Sequence, residues 1–200
     1  MRAGKGAPVP SAAPGAPPAA LAVLVNGLPG AGKTTVARAL ARRLGLPLFS
    51  KDVIKETHAD ELGREMAGWP QRRWNAAMGA AASETMWSLL ADAPIGAVLE
   101  SCWPAGVRDF VVRGLSRAGN PAVAEIWCDV PLETARQRCE ARHPRHPIHG
   151  DPLTDDEWEP WRRTARPLQV GPCLRVDTTR PADVPAIAAW IQGLPLCGRS

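Results

Sequence analysis

The sequence predicts an α/β protein: a five-stranded parallel sheet with helices on both faces. Three observations predict it. Short apolar runs rich in Val, Ile and Leu alternate along the chain with segments of helical period. The runs are nearly continuous in hydrophobicity, the mark of strands buried on both faces. A glycine-rich octapeptide, Gly27-Leu28-Pro29-Gly30-Ala31-Gly32-Lys33-Thr34, joins the first run to the first helical segment.

The first strand is read over residues 20–26, A-L-A-V-L-V-N. The octapeptide after it fits G-x-x-x-x-G-K-[ST], the phosphate-binding loop, at every fixed position. Its glycines let the backbone turn sharply and bring N–H groups close to a phosphate. The N-terminus of the following helix adds its positive end. Lys33 supplies a cation for the β- and γ-phosphates, and the Thr34 hydroxyl is placed to ligate Mg²⁺. The helix is read over residues 35–44, with Val36, Leu40 and Leu44 inward and Gly45 closing it. Strand, glycine loop and helix in this order point to the three-layer P-loop NTPase fold. The nucleotide site is then expected at residues 27–35, Thr35 included.

The second strand, residues 46–50, ends at Lys51-Asp52. Sheets of this kind bind ligands at the carboxyl ends of their strands, so Asp52 lies at the functional edge. It is a candidate carboxylate for an acceptor hydroxyl, while Ser50 or Asp52 is also a candidate cap for a helix over 53–56. Residues 56–71 read as polar and irregular, either an acceptor-binding insertion or a solvated helix. A long helix over 72–91 carries a stripe of Met78, Ala82, Met86 and Leu89, read as core. Trp74 and Trp87 are candidates for an acceptor wall or for core.

The third strand, 97–101, is apolar until Glu100. An acid there stands at the Walker B position, whose carboxylate orients Mg²⁺ or its water; a rim carboxylate is the plainer reading. A helix over 105–118 follows, with Val107, Phe110, Val111 and Leu115 inward. The fourth strand, 123–130, leads through Pro131 into a helix over 132–142 that sets Arg138 and Arg142 four residues apart on one face. The stretch from His143 to Asp151 is basic and holds two prolines, as a lid would. The lid is drawn at about 143–166. Its Arg side chains are candidates to clamp the γ-phosphate. His143, His146 and His149 recur every third residue, but without cysteines at finger spacing they favour no metal. Trp158, Trp161, Arg162, Arg163 and Arg166 interleave as a nucleic-acid surface would, or as a lid arm does. A fifth strand over 173–176, the Asp177-Thr178-Thr179 turn expected near the nucleobase, and a helix over 181–191 complete the chain.

Composition bounds the rest. Two hundred residues, 45% of them apolar, suit one domain, placed at 20–195. Twenty-four basic against 20 acidic side chains give a net charge of +4, suited to phosphate anions without implying nucleic acid. Five cysteines without C-x-x-C spacing point to a reducing cytoplasm and no zinc site. No apolar run reaches membrane-span length. Residues 1–19, mostly Ala, Pro and Gly, are expected to form a disordered tail.

Gly27 to Thr35, the Phe49-Ser50-Lys51-Asp52 turn, Arg138 with Arg142, and Val176 to Thr179 together resemble small P-loop kinases, labelled AAA-family ATPases of kinase type. Chloramphenicol phosphotransferases belong to that group, with zeta toxins and gluconate and adenylylsulfate kinases more distant. The resemblance runs over residues 20–192. It implies an enzyme that uses ATP and Mg²⁺ to phosphorylate a hydroxyl of an antibiotic, sugar or nucleoside. It implies Asp52 as the base toward that hydroxyl, with Lys33 and a lid arginine, Arg138 or Arg142, in the catalytic set, and Thr34 at the metal; Glu100, read at the metal from its strand end, stands where the family more usually has Asp. The acceptor region, residues 56–75, fits no acceptor pattern, so the substrate is not carried over, and the oligomeric state stays open. Two other readings remain: a regulatory P-loop ATPase without a small-molecule acceptor, and a nucleic-acid end kinase.

Overall fold

The buried strands set the architecture. In the computed structural model, which describes residues 20–143, 146–150 and 152–195, all five strands pair in parallel, in the order β2-β3-β1-β4-β5. They are β1 (Leu21–Gly27), β2 (Leu48–Ser50), β3 (Gly96–Glu100), β4 (Ala122–Asp129) and β5 (Cys173–Asp177). The helices are α1 (Lys33–Leu44), α2 (Lys51–Leu62), α3 (Gln71–Ala91), α4 (Arg108–Arg117), α5 (Leu132–Glu140), α6 (Asp155–Thr164) and α7 (Val184–Gly193). Two 3₁₀ turns, Ala105–Val107 and Pro147–His149, precede α4 and α6.

Alternate residues of β1 face opposite layers. Val23 and Val25, with Val98 and Ile126, meet Val36, Ala37 and Leu40 of α1 and Ile187 and Ile191 of α7. Ala22 and Leu24, with Ala97 and Leu99, meet Met86, Trp87 and Leu90 of α3 and Val111 and Leu115 of α4. β1 lies between β3 and β4, so the chain crosses over in both directions from it, and a crevice opens beyond its carboxyl end. A third cluster lies off the sheet: Ala59, Trp74, Met78 and Ile148.

Several expectations change. The helix after β2 runs unbroken through Leu62, so residues 56–62 are helical and the irregular connection covers 63–70. The α3 stripe ends on buried Leu90; Leu89 is exposed. Residues four apart on a helix advance slightly around its axis. The buried stripe therefore turns from the third cluster, at Trp74 and Met78, toward the sheet at Met86 and Leu90. Trp74 and Trp87 are both core. Trp87 stacks on Trp103 with centroids 6.2 Å apart, and neither Trp74 nor Trp87 lines the cleft beside the glycine loop. The last helix starts at Val184, after Pro181, because the Asp183 carboxylate accepts from the Ala186 N–H at 3.0 Å and caps it there. Residues 1–19 lie outside the described residues.

Gly114 of α4 packs directly beneath the Trp87 indole, and a Cβ there would overlap the ring. Gly114→Ala is expected to lower stability by about 1–3 kcal/mol through overpacking, read as a lower urea midpoint at unchanged slope.

Candidate functional site

The glycine loop is held by two close backbone approaches. Gly27 has φ of 149°, and a Cβ on it would stand 2.7 Å from the Cys128 carbonyl of β4. Gly30, at φ 85°, passes so near the start of α5 that a Cβ would overlap the Ala135 carbonyl. Gly32, also left-handed, is the N-cap of α1 and puts no side chain over the helix's first N–H groups. Of the nine residues expected to bind nucleotide, Pro29, Gly30, Gly32, Lys33 and Thr34 line a cleft of about 230 Å³. Leu28 and Ala31 turn into the core. Gly27 stands behind the loop, and Thr35 is exposed on the first turn of α1.

Lys33 is 6% exposed, and its Nζ donates to the Leu28 carbonyl at 2.7 Å, which holds the ammonium across the loop. Burial alone would pull its pKa down; negative charge at Cys102 and Glu100 outweighs this, and the net shift is upward from 10.5. Cys102 is itself pushed up, by burial first and then by Asp52 and Glu100, against the opposing pull of Lys33. Burial likewise pushes Cys128 up to about 12.

Glu100, at the end of β3, is 4% exposed. Its carboxylate accepts from Ser50 Oγ at 2.5 Å and from Thr34 Oγ1 at 3.3 Å. Register explains the first contact: Ser50 lies directly opposite Glu100 across β2 and β3. Ser50 thus stands at the N-cap position of α2 but spends its hydroxyl on Glu100 instead of the helix, so the expected capping role fails. Asp52 sits in the first turn of α2, half-buried, and lines the same cleft. Thr34 and Glu100 offer hard oxygen donors side by side where a phosphate would enter, a set that suits Mg²⁺. Among the described residues there is no group of three or more His, Cys, Asp or Glu side chains arranged to hold a metal without such a ligand.

The opposite wall comes from the segment after α5. Arg142, His143, His149, Gly150, Pro152, Leu153 and Trp161 face the glycine loop. α5 ends at Glu140, so Arg138 and Arg142 do not share a helical face as expected. Arg138 donates to the carbonyls of Thr178 and Thr179 at 2.8 and 3.1 Å and is not among the cleft residues. Arg142 is, with its Nε on the Arg138 carbonyl at 3.0 Å. The expected turn at 177–179 packs on β4, with the Thr178 N–H on the Asp129 carbonyl, and likewise does not line the cleft.

The histidines answer to α2. His149 pairs with Glu56 at 2.7 Å and His146 with Asp60 at 2.9 Å, on either side of the fully buried Ile148. Trp158 is buried and Trp161 half-buried, whereas Arg162 and Arg163 are exposed beside Glu159, so the open side chains of this stretch are arginines rather than an alternation of arginine and tryptophan.

The AAA domain model AAA_33 matches residues 23–168, from β1 to the segment after α6. The chain belongs to that family. A solved structure from Chloroflexus aurantiacus J-10-fl, described as a candidate kinase, is 30% identical, with a TM-score of 0.70 over 87% of this chain and 97% of that one. The Mycobacterium tuberculosis APS kinase, solved with AMPPNP and APS, shares the fold at 22% identity, with a TM-score of 0.55 over 88% and 97%. A shikimate kinase from Paracidovorax citrulli (strain AAC00-1) is 44% identical over 57 residues, 28% of this chain and 30% of that protein. Among the described residues of this AAA domain, no helix is long and apolar enough to cross a membrane.

Ile148 plugs the 146–150 segment into the α2–α3 cluster. Ile148→Ala is expected to loosen that segment and speed tryptic cleavage after Arg142 several-fold, with little change at sites on the sheet layers.

Proposed function

We propose that this AAA domain is a kinase that transfers the γ-phosphoryl group of ATP to a hydroxyl of a small molecule. One observation carries the reading: Lys33 and Thr34 of α1, Glu100 of β3 and Asp52 of α2, from three different segments, line a single cleft at the carboxyl edge of the sheet. The kinase description of the Chloroflexus relative and the APS kinase fold support it.

The loop amides and the N-terminus of α1 hold the β-phosphate, and Lys33 bridges the β- and γ-phosphates. Thr34 and Glu100 would hold Mg²⁺, which on binding neutralises developing phosphate charge. Asp52 takes the proton of the acceptor hydroxyl and orients it toward the γ-phosphorus. Arg142 reaches in from the opposite wall to the charge on the transferring group. Arg138, fixed on the Thr178 and Thr179 carbonyls, keeps the turn after β5 in place. The acceptor is small, because the cleft is bounded by His149, Gly150, Pro152, Leu153 and Trp161. Acceptors of antibiotic, sugar or nucleoside type remain the classes to test.

Lys33→Ala is expected to lower turnover at least 100-fold, about 2.7 kcal/mol of transition-state stabilisation. Asp52→Asn is expected to cut kcat about 100-fold or more while the Kd for Mg·ATP stays within two-fold. Arg142→Ala is expected to lower kcat more than Arg138→Ala does. Steady-state kinetics and calorimetric titration separate these effects; an Asp52→Asn enzyme with full kcat removes the carboxylate from the base role.

A further inference from the structure

Asn26 and Glu125 are completely buried, yet neither lines the cleft. Asn26 is the residue just before the glycine loop. Its Oδ1 accepts from the Gly27 N–H at 2.7 Å and from the Trp103 N–H at 2.9 Å. Its Nδ2 donates to the Trp103 carbonyl at 3.1 Å and to Glu125 Oε1 at 3.4 Å. Two acceptor and two donor places are all filled, which fixes the orientation of the amide.

The location gives this bracket its meaning. β1 and β3 pair as far as Val25 and Glu100, and one more bond, from the Ser101 N–H to the Val25 carbonyl, ends the ladder. The Asn26 side chain then grips both backbone groups of Trp103, continuing the pairing after the main chains diverge. The segment so held, 101–103, carries Cys102 into the cleft beside Lys33. The same amide fixes the N–H of Gly27, where the glycine loop begins.

Glu125 completes the arrangement from β4. Besides Asn26, its two oxygens accept from the successive N–H groups of Leu168 and Gln169 at 2.8 and 2.9 Å. Gln169 adopts a left-handed φ of 55°, so the two amides turn toward one carboxylate as in an anion nest. Arg108 of α4 holds the Leu168 carbonyl at 3.1 Å. Residues 165–172 connect α6, which carries Trp161, to β5.

We infer that Asn26 is a positioning residue for the phosphate-binding loop, that it sets the Gly27 turn and the 101–103 segment together, and that Glu125 orients it. This rests on the nucleotide-binding half of the proposed function and adds to it two residues without contact to the ligand. Asn26→Asp keeps shape and both accepted bonds but sets an oxygen against Glu125 and the Trp103 carbonyl. Adding Glu125→Gln restores a donor opposite that oxygen, at the loss of one bond to the 168–169 amides.

The test is the Kd for Mg·ADP, by calorimetry, and the KM for ATP, on Asn26→Asp, Glu125→Gln and the double variant, each shown folded by circular dichroism. Asn26→Asp is expected to weaken Mg·ADP at least ten-fold and Glu125→Gln about three-fold. The double variant is expected to bind more tightly than Asn26→Asp alone. A merely structural pair lowers the melting temperature and leaves the Kd of the folded protein alone. Kd and KM within two-fold of the native protein in both single variants, or losses that simply add in the double variant, overturn the inference. A native protein that does not bind Mg·ADP overturns the nucleotide reading and this inference with it, whereas normal native binding with unaffected variants overturns the inference alone.

Discussion

The structure depends on a backbone-to-backbone approach. The loop after β1 passes between the end of β4 and the first turns of α5 with no room for a Cβ at Gly27 or Gly30. That approach fixes how near α5 comes to the sheet, and with it where the chain leaves α5 to form the far wall of the cleft. It also forces the left-handed turn at Gly32 that starts α1 directly under the loop. Side chains could not hold the loop so tightly, because each would need the space the backbone fills.

Around this loop the charged groups form one connected set rather than separate pairs. Glu100 is the hub: buried, in reach of Thr34, bonded to Ser50, and, after Cys102, one of the groups that raise the pKa of buried Lys33. Burial alone disfavours a charged ammonium, so these neighbours act against it. Asp52 enters from the first turn of α2, whose next turns carry Glu56 and Asp60 to the two histidines beside Ile148. α2 therefore bears the proposed base and anchors part of the opposite wall. The position of the acceptor hydroxyl and the seating of that wall are tied to one helix.

Much of this was legible in the sequence because its signals are local. The glycine loop, the apolar strands and Glu100 at a strand end each depend on a few neighbouring residues. Lys33, Thr34, Asp52 and Glu100 line one cleft. What escaped depends on distant partners. Ser50 looked like a helix cap because its register against Glu100 belongs to another strand. Arg138 and Arg142 looked equivalent because helical spacing does not reveal that α5 ends between them. Leu89 looked buried because the packing partner of α3 changes along its length. Asn26 and Glu125 did carry a signal, a polar residue in or ending an apolar strand, but their bonding reaches across two strands and two connecting segments.

Phosphoryl transfer to an organic hydroxyl is tested most directly by the fate of the label from Mg·[γ-³²P]ATP, with a panel of sugars, hydroxy acids, nucleosides and hydroxylated antibiotics. The expected result is label moving into an organic phosphate ester with at least one acceptor, faster than it appears as inorganic phosphate. Label released only as inorganic phosphate, at a rate indifferent to every acceptor, would contradict the kinase reading and leave an ATPase in its place.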